Sequence, residues 1–293
     1  MPSGTLTIYD SFWKLLLDGG FDLDSDTIKV ALVSSSYTPD RTVHDYWDDV
    51  SGSEVSGTGY SAGGTALSGK TISQDNVNDR GTWSADDPSW ASVTVTFRYA
   101  VLYKSTGTAG TSALIGYVDF GADQVYSAGT VTIDFPAAGI LTPGGTLSGA
   151  FRAFNAFYAA LLGGSLNLGG ASPNTLKLAL VTSGWTPDVD AHDYWDDVSA
   201  NEASGTGYTA GGATLAGQAT TVDTTNHCGV LSVNDVTWSA ATITFRYLVL
   251  YRSTGTAGTS NLIGYWDLGA DYTYTAQNVK ADFSGSGIFS LGG

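Results

Sequence analysis

Cysteine, glutamate and basic residues are scarce in this chain of 293 residues. The single cysteine, Cys228, excludes an intrachain disulfide, so stability must come from packing. Glu54 and Glu202 are the only glutamates, and 12 basic residues stand against 28 acidic ones, a net charge of −16. Such a field repels phosphate backbones and anionic lipid headgroups. We therefore expect neither a nucleic-acid partner nor a membrane partner.

Long apolar runs are also missing. No stretch approaches the roughly 18 residues that a membrane-spanning helix requires. The opening segment, MPSGTLTIYDSFWKLLLDGG, has no basic region and no small-residue cleavage site, so it does not resemble a signal peptide. These features predict a soluble protein made in the cytoplasm.

Glycine and apolar residues are abundant instead. The chain has 38 glycines but only 7 prolines, and 42% of its residues are apolar. This apolar share is enough for a packed core, and glycine supplies the positive φ angles that tight turns require. The composition therefore favours a mainly β protein with many turns.

The chain contains the same sequence twice. The segments HDYWDDVS, SGTGY, STGTAGTS and LIGY each occur two times, always 148 residues apart. Residues 27–140 align with residues 175–288 without a gap, and about 65 of the 114 aligned positions are identical. A repeat of this length is a whole domain rather than a unit of a solenoid. We predict one β domain over residues 1–143, a glycine-rich linker over 144–149 and a second β domain over 150–293.

Each copy begins with a short helical pattern. In the first copy the apolar residues are spaced as on one face of a helix, and they match the second copy at an offset of 145: Tyr9, Phe12, Trp13, Leu16 and Leu17 correspond to Phe154, Phe157, Tyr158, Leu161 and Leu162. The apolar run TIKVALVSS predicts a buried strand, and SVTVTFRYAVLYKS alternates as a strand with one buried face. Several short strands after one helix predict a β-sandwich or a small barrel in each copy.

The segment HDYWDDVS is the strongest candidate site, because it is intact in both copies. Its carboxylates suit a calcium ion or another hard cation. The alternative, which we favour, is a structured loop in which aspartates cap backbone amides and aromatic rings anchor the loop. Four aromatic residues in these loops are candidates for surface contact: Tyr46, Trp47, Tyr194 and Trp195.

Other motifs offer weaker chemistry. FDLDSDT opens like a calcium loop but lacks its later glycine and glutamate, and the second copy does not retain it. GTGYSAGG lacks the lysine and the following helix of a phosphate-binding loop. Asp49 and Glu54 could pair as in a glycosidase, but no apolar pocket is evident for the acid. The first copy has Arg80 where the second has Cys228, so no shared role requires the thiol. We therefore expect no enzyme activity, no catalytic residues, no metal site and no cofactor.

The repeated segments resemble a module of tailed-bacteriophage virion proteins. The resemblance rests on KVALVSSSYTPD, HDYWDDVS, EVSGTGYSAGGTAL and WASVTVTFRYAVLYKSTGTAGTSALIGYVDFGAD, and it covers nearly the whole chain twice. It implies a non-enzymatic structural protein located in the virion, with other virion proteins as partners.

Two roles are compatible with this resemblance. The first is decoration or cementing of the capsid, with the major capsid protein as partner and with a symmetric homo-oligomer or lattice as the assembly. The second is a tail or tail-fibre protein that contacts the host surface and binds glycans, which the loop aromatics would favour. Two modules on one chain also gain avidity on a lattice of repeated sites.

Overall fold

A computed structural model describes residues 4–144, 151–283 and 287–292 of the chain. The fold is mainly β, as the composition predicts. The described residues form four sheets, of two, three, five and five strands, and none of them closes into a barrel. The small-barrel prediction is therefore wrong, because the edge strands of each five-stranded sheet do not pair with each other.

The first half of the molecule, residues 4–144, has one two-turn helix and one very short helix among seven strands. A 3-10 turn at Ala109–Thr111 joins the two longest strands. The elements are β1 (Leu6–Ile8), α1 (Asp10–Leu17), β2 (Ile28–Val33), α2 (Asp48–Ser51), β3 (Thr65–Ala66), β4 (Thr71–Asp75), β5 (Arg80–Ser84), β6 (Ser89–Lys104) and β7 (Leu114–Thr132).

The described residues of the second half, 151–283 and 287–292, have the same order of elements and one additional strand at the end. The elements are β8 (Phe151–Ala153), α3 (Asn155–Leu162), β9 (Leu176–Val181), α4 (Asp196–Ser199), β10 (Ala213–Thr214), β11 (Ala219–Asp223), β12 (Cys228–Ser232), β13 (Val236–Arg252), β14 (Leu262–Ala281) and β15 (Phe289–Gly292).

The five-stranded sheets of the two halves have equivalent topologies. Their strand orders are β1-β7-β6-β2-β3 and β8-β14-β13-β9-β10, and every pair is antiparallel. The two longest strands of each half pair far beyond the rest of the sheet, as a two-stranded ribbon. Bulges interrupt the register of each ribbon and increase its twist.

Strand β2 is buried on both faces. Val30 and Leu32 belong to the large central cluster of apolar side chains, whereas Ala31 and Val33 belong to a smaller cluster on the opposite face of the sheet. Successive side chains of a strand point to opposite faces. An unbroken apolar strand therefore needs a cover on each side, and a different part of the chain supplies each cover.

The central cluster contains side chains of both halves. Helix α1 packs on strands β11 and β12 of the second half, and helix α3 packs on strands β4 and β5 of the first half. Two backbone hydrogen bonds also join the halves near the ends of the helices. The Leu23 N–H donates to the Leu162 oxygen (2.9 Å), and the Leu168 N–H donates to the Leu17 oxygen (2.7 Å). We call the hairpins β4–β5 and β11–β12 the arms, since each covers the helix of the other half.

Two glycines allow the arms to approach the helices. A side chain at Gly81 would place its Cβ 2.7 Å from Cβ of Tyr158, and one at Gly229 would place it 2.9 Å from the carbonyl carbon of Trp13. Real Cβ atoms essentially never come this close to other heavy atoms. Glycine is therefore required at this point of both arms, and the close approach buries the helix faces.

The predicted linker falls mostly outside the described residues. Of residues 144–149 only Gly144 is described, and it forms an isolated β-bridge with Arg80. The central cluster does not divide at this linker, since residues from both sides of it contribute. The core is therefore shared between the halves, although each five-stranded sheet is built from one half alone.

Candidate functional site

The HDYWDDVS segment covers the outer face of each five-stranded sheet. Trp47 stacks on Tyr103 with ring centroids 4.4 Å apart and planes 6° from parallel, and Trp195 stacks on Tyr251 with the same two values. Both tryptophans are only 7% exposed. The prediction that these two rings are available for surface contact is therefore wrong, because they seal a sheet face.

The two tyrosines of the same segments are more accessible. Tyr46 is half-buried and forms an isolated β-bridge with Ala113, whereas the side chain of Tyr194 is 38% exposed. Of the four candidate aromatic residues, Tyr194 is exposed, Tyr46 is partly buried and the two tryptophans are buried.

One aspartate in each segment holds the backbone. The carboxylate of Asp49 accepts hydrogen bonds from the N–H groups of Asp45 (3.0 Å) and Tyr46 (3.3 Å). Asp197 makes the equivalent bonds to Asp193 (2.9 Å) and Tyr194 (3.1 Å). This geometry supports the structured-loop interpretation.

A second aspartate of the segment is partly desolvated. Burial raises the pKa of the Asp45 carboxyl, and the nearby Asp49 charge adds to this effect. Burial raises the pKa of Asp193 in the same way, with Asp197 as the charged neighbour. Within residues 4–144, 151–283 and 287–292, no group of three or more His, Cys, Asp or Glu is placed to hold a metal ion.

The STGTAGTS loop lies directly against this segment. The Trp47 N–H donates to the Ser112 oxygen (2.8 Å), and Ser112 Oγ donates to the Thr108 oxygen (2.8 Å). The hydroxyls of Thr106 and Thr111 are 2.6 Å apart, as are those of Thr254 and Thr259 in the second half. The two longest repeated motifs therefore form one surface in each half.

We call this surface the acidic loop end. In each half it combines three aspartates with a threonine-rich loop: Asp45, Asp48, Asp49 and residues 105–111 in the first half, and Asp193, Asp196, Asp197 and residues 253–259 in the second. Asp48 and Asp196 are exposed, and none of the hydrogen bonds that hold the loop involves their carboxylates. Both lie at the start of a short helix, α2 or α4, where a carboxylate is favoured, and both also leave a negative charge facing solvent.

The remaining candidate residues have structural roles. Glu54 Oε1 accepts hydrogen bonds from the Tyr60 hydroxyl (2.7 Å) and from the Gly63 N–H (2.6 Å). The Tyr60 hydroxyl in turn accepts the Leu32 N–H (2.9 Å) and so ties the GTGYSAGG turn to strand β2. Glu202 repeats these contacts in the second half. The presence of only two glutamates, at equivalent positions, is the sequence signal that could have revealed this role.

Cys228, the His44 of HDYWDDVS and the aspartates of FDLDSDT also have structural surroundings that account for them. Burial raises the pKa of the Cys228 thiol, and the charge of Asp223 adds to this, so the thiolate is disfavoured. His44 Nδ1 is 2.8 Å from the Tyr37 hydroxyl, which occupies the ring nitrogen with a buried partner. In FDLDSDT, the Asp26 carboxylate accepts the Asp22 N–H (2.8 Å) and pairs with Lys104 (2.8 Å), as in a closed turn.

Comparisons with known proteins identify no relative of this chain. No family model matches it, and neither a curated protein nor a solved structure matches it significantly. Among the described residues, no helix is both long enough and apolar enough to cross a membrane.

Proposed function

We propose that this chain is a non-enzymatic structural protein of a bacteriophage virion, and that it decorates or cements the capsid. The observation that carries the proposal is the presence of the same acidic loop end in each half of one molecule. The resemblance of the repeated motifs to phage virion proteins supports the particle, and the duplication supports an assembly role.

The shared core gives the duplication a mechanical meaning. Because each arm packs on the helix of the other half, the two acidic loop ends are attached to one connected core rather than to two independent domains. Two binding surfaces held at a fixed separation bind a lattice of equal spacing more tightly than either surface alone. The major capsid protein is the partner we propose, with basic residues facing the aspartates.

The first experiment measures binding of the purified chain to capsids that lack it. We expect saturable binding that weakens with added salt, because exposed charges are screened. Asp48→Asn and Asp196→Asn should each weaken binding, and the double variant should lose nearly all of it if the surfaces act together. Asp123→Asn and Asp271→Asn are matched controls, since they remove the same charges from equivalent ribbon positions. Unchanged binding of the double variant would reject the acidic loop ends as the contact.

The second experiment is immunogold electron microscopy of intact particles with an antibody against the chain. Label distributed over the head supports capsid decoration. Label confined to the tail favours the alternative, a tail or tail-fibre protein that contacts the host surface. Particles that carry no copy of the chain, shown by mass spectrometry of purified virions, would contradict both roles.

A further inference from the structure

The second half contains an aromatic cavity of about 630 Å³ beside its long ribbon. This volume lies within the range of roughly 300–1,000 Å³ that is typical of small-molecule sites. Ring side chains dominate its wall: Trp238, Phe245, Trp266, Tyr272, Tyr274 and Phe283.

Two of these rings pack against other aromatic rings. Tyr274 stacks on Phe245, with centroids 5.9 Å apart and planes 10° from parallel. Trp266 packs against Phe151 (4.6 Å) and Phe283 (5.8 Å). Tyr272 is 46% exposed, so its ring is accessible from the cavity and from solvent. Trp266 and Tyr274 are therefore pre-positioned, so a ligand that contacts them costs little side-chain freedom, whereas Tyr272 offers an accessible ring.

The rim of the cavity is polar. Lys280 Nζ lies between the carboxylates of Asp235 (2.7 Å) and Asp282 (2.9 Å), and the side chains of Lys280 and Asp282 are both about half exposed. The rim thus presents the Asp282 carboxylate and the Lys280 ammonium group next to the aromatic wall. Closely spaced hydroxyl groups are complementary to such a set, because each can donate to a carboxylate and accept from an ammonium group.

The residues of the cavity distinguish the two halves. Trp266 and Tyr272 occupy positions that hold Val118 and Gln124 in the first half. At the position of the exposed Leu268, the first half has Phe120, which packs edge-on against Phe97 at 5.6 Å. The first half therefore lacks two of the ring faces of this site, although its fold is equivalent.

We propose that this cavity binds one pyranose ring of a glycan, stacked against Trp266 and Tyr272, with Asp282 and Lys280 bonded to its hydroxyls. A sugar ring has apolar C–H faces for aromatic side chains and a hydroxyl edge for the charged rim. The net charge of −16 disfavours the other ring ligands with polar edges, nucleotides, because their phosphates would be repelled. The proposal does not depend on the virion assignment, since it rests on this cavity alone.

The test is a titration of the full chain, followed by tryptophan fluorescence and calorimetry. The probes are glucose, galactose, mannose, N-acetylglucosamine, N-acetylgalactosamine and linear tetrasaccharides built from them. We expect saturable binding of at least one tetrasaccharide. Tyr272→Gln and Trp266→Val, which introduce the first-half residues, should each weaken it at least tenfold.

Val125→Gln is the matched control, because it changes an exposed residue on the equivalent ribbon of the first half. Its affinity should equal that of the unmodified chain. Tyr272 is exposed, so Tyr272→Gln remains informative even if Trp266→Val fails to fold. The proposal is overturned if no probe binds saturably, or if Tyr272→Gln binds as tightly as the unmodified chain.

Discussion

The two halves differ most clearly in the apolar cluster on the outer face of each sheet. In the first half the hydroxyls of Tyr9 and Tyr37 are 2.7 Å apart, and Tyr37 also contacts His44 Nδ1 at 2.8 Å. At the positions of Tyr9 and Tyr37 the second half has Phe154 and Trp185. The hydroxyls are thus present together or absent together. A buried hydroxyl without a partner is destabilising, which explains why neither hydroxyl remains alone in the second half. Trp185 nevertheless brings a buried Nε1–H that has no hydrogen-bond partner, so the two clusters are not equally well satisfied.

The start of the helix teaches a related lesson. Asp10, which is almost fully buried, pairs with Arg41 (2.9 Å) and with His227 of the other half (3.0 Å). Its counterpart Asn155 is also buried and donates to the Asp190 carboxylate (2.7 Å). The charge is not retained, but a polar group with a partner is. The replacement is incomplete, however, because Asn155 Oδ1 is buried without a hydrogen-bond partner, so this position of the second half is less well satisfied than Asp10 in the first.

Cutting the chain between the two halves is the strongest test of whether they share one core. A protease site inserted between residues 145 and 150 should allow the linker to be cut while both fragments co-elute as one particle of 30.4 kDa. Gly81→Val and Gly229→Val should weaken this association, because each added side chain displaces an arm from a helix, at about 1–3 kcal/mol per site. Size-exclusion chromatography of the cut protein measures both effects. Two fragments that elute separately and remain folded would contradict a shared core.

The arms should respond unequally to truncation of one core residue. Trp83 is fully buried and its Nε1–H donates to the Leu23 oxygen (2.9 Å), whereas Leu231 occupies the equivalent position in the second half. We expect Trp83→Ala to cost about 3–5 kcal/mol and Leu231→Ala about 2–5 kcal/mol, with the tryptophan variant the less stable because it also leaves a buried oxygen unpaired. Urea denaturation measures both.

Truncation of one tryptophan at equivalent positions of the two halves is the control for this comparison. Trp90→Ala and Trp238→Ala remove the same buried side chain from equivalent positions, so their costs should agree, at about 3–5 kcal/mol each. A large difference between these two variants would show that the halves differ in stability for reasons unrelated to Trp83.

The paired hydroxyls predict a non-additive effect. Tyr37→Phe leaves the fully buried Tyr9 hydroxyl without its hydrogen-bond partner and should cost about 1–3 kcal/mol of stability. In a Tyr9→Phe background the same substitution should cost less, because no hydroxyl then loses its partner. A double-mutant cycle by urea denaturation measures the coupling. Strictly additive costs would show that the contact between the two hydroxyls does not explain the difference between the halves.

The smallest loss of stability is expected from removing one surface salt bridge, and it should be equal in the two halves. The Arg98 guanidinium lowers the pKa of Asp119, and Arg246 does the same for Asp267. A lowered folded-state pKa stabilises the fold above the ordinary value of 3.8 and loses this effect as the pH falls through the folded value. Because both pairs are about one-third exposed, Asp119→Asn and Asp267→Asn should each cost about 0.2–1 kcal/mol at neutral pH.

Unfolding curves of these two variants test the sign. The differences from the unmodified chain should shrink in acid and in high salt. A difference that grows as the pH falls would contradict the assigned direction of the pKa shift.

Two of the strands could be located from the sequence, but the partners of the helices could not. The run TIKVALVSS indicates a buried strand, and β2 lies within it at Ile28–Val33. The exchange of arms was not predictable in this way, because the repeated sequence is the same whether a helix packs on its own arm or on that of the other half. A repeat determines which surfaces are complementary, but not which of two equivalent partners is used.

The structured loop could be predicted, but the surface-contact prediction for Trp47 and Trp195 was wrong for a specific reason. Trp47 and Trp195 lie in polar segments rich in aspartate, which favoured exposed rings. Strand β2, however, has apolar side chains on both faces, so a loop must supply hydrophobic cover for the second face. Joining these two observations would have assigned the tryptophans to the core and left the aspartates as the exposed feature.

The exchange of arms has a consequence for synthesis of the chain. About 200 residues separate the end of α1 at Leu17 from the start of its covering arm at Ala219. At roughly 5–20 residues per second, the ribosome needs about 10–40 seconds to deliver that arm. During this interval α1 can pack on β7 of its own half, but the part of its apolar face that contacts β11 and β12 has no partner within its own chain. A nascent copy is therefore open to premature pairing with its neighbours on the same messenger RNA, and chaperone protection matters most before the second half has emerged.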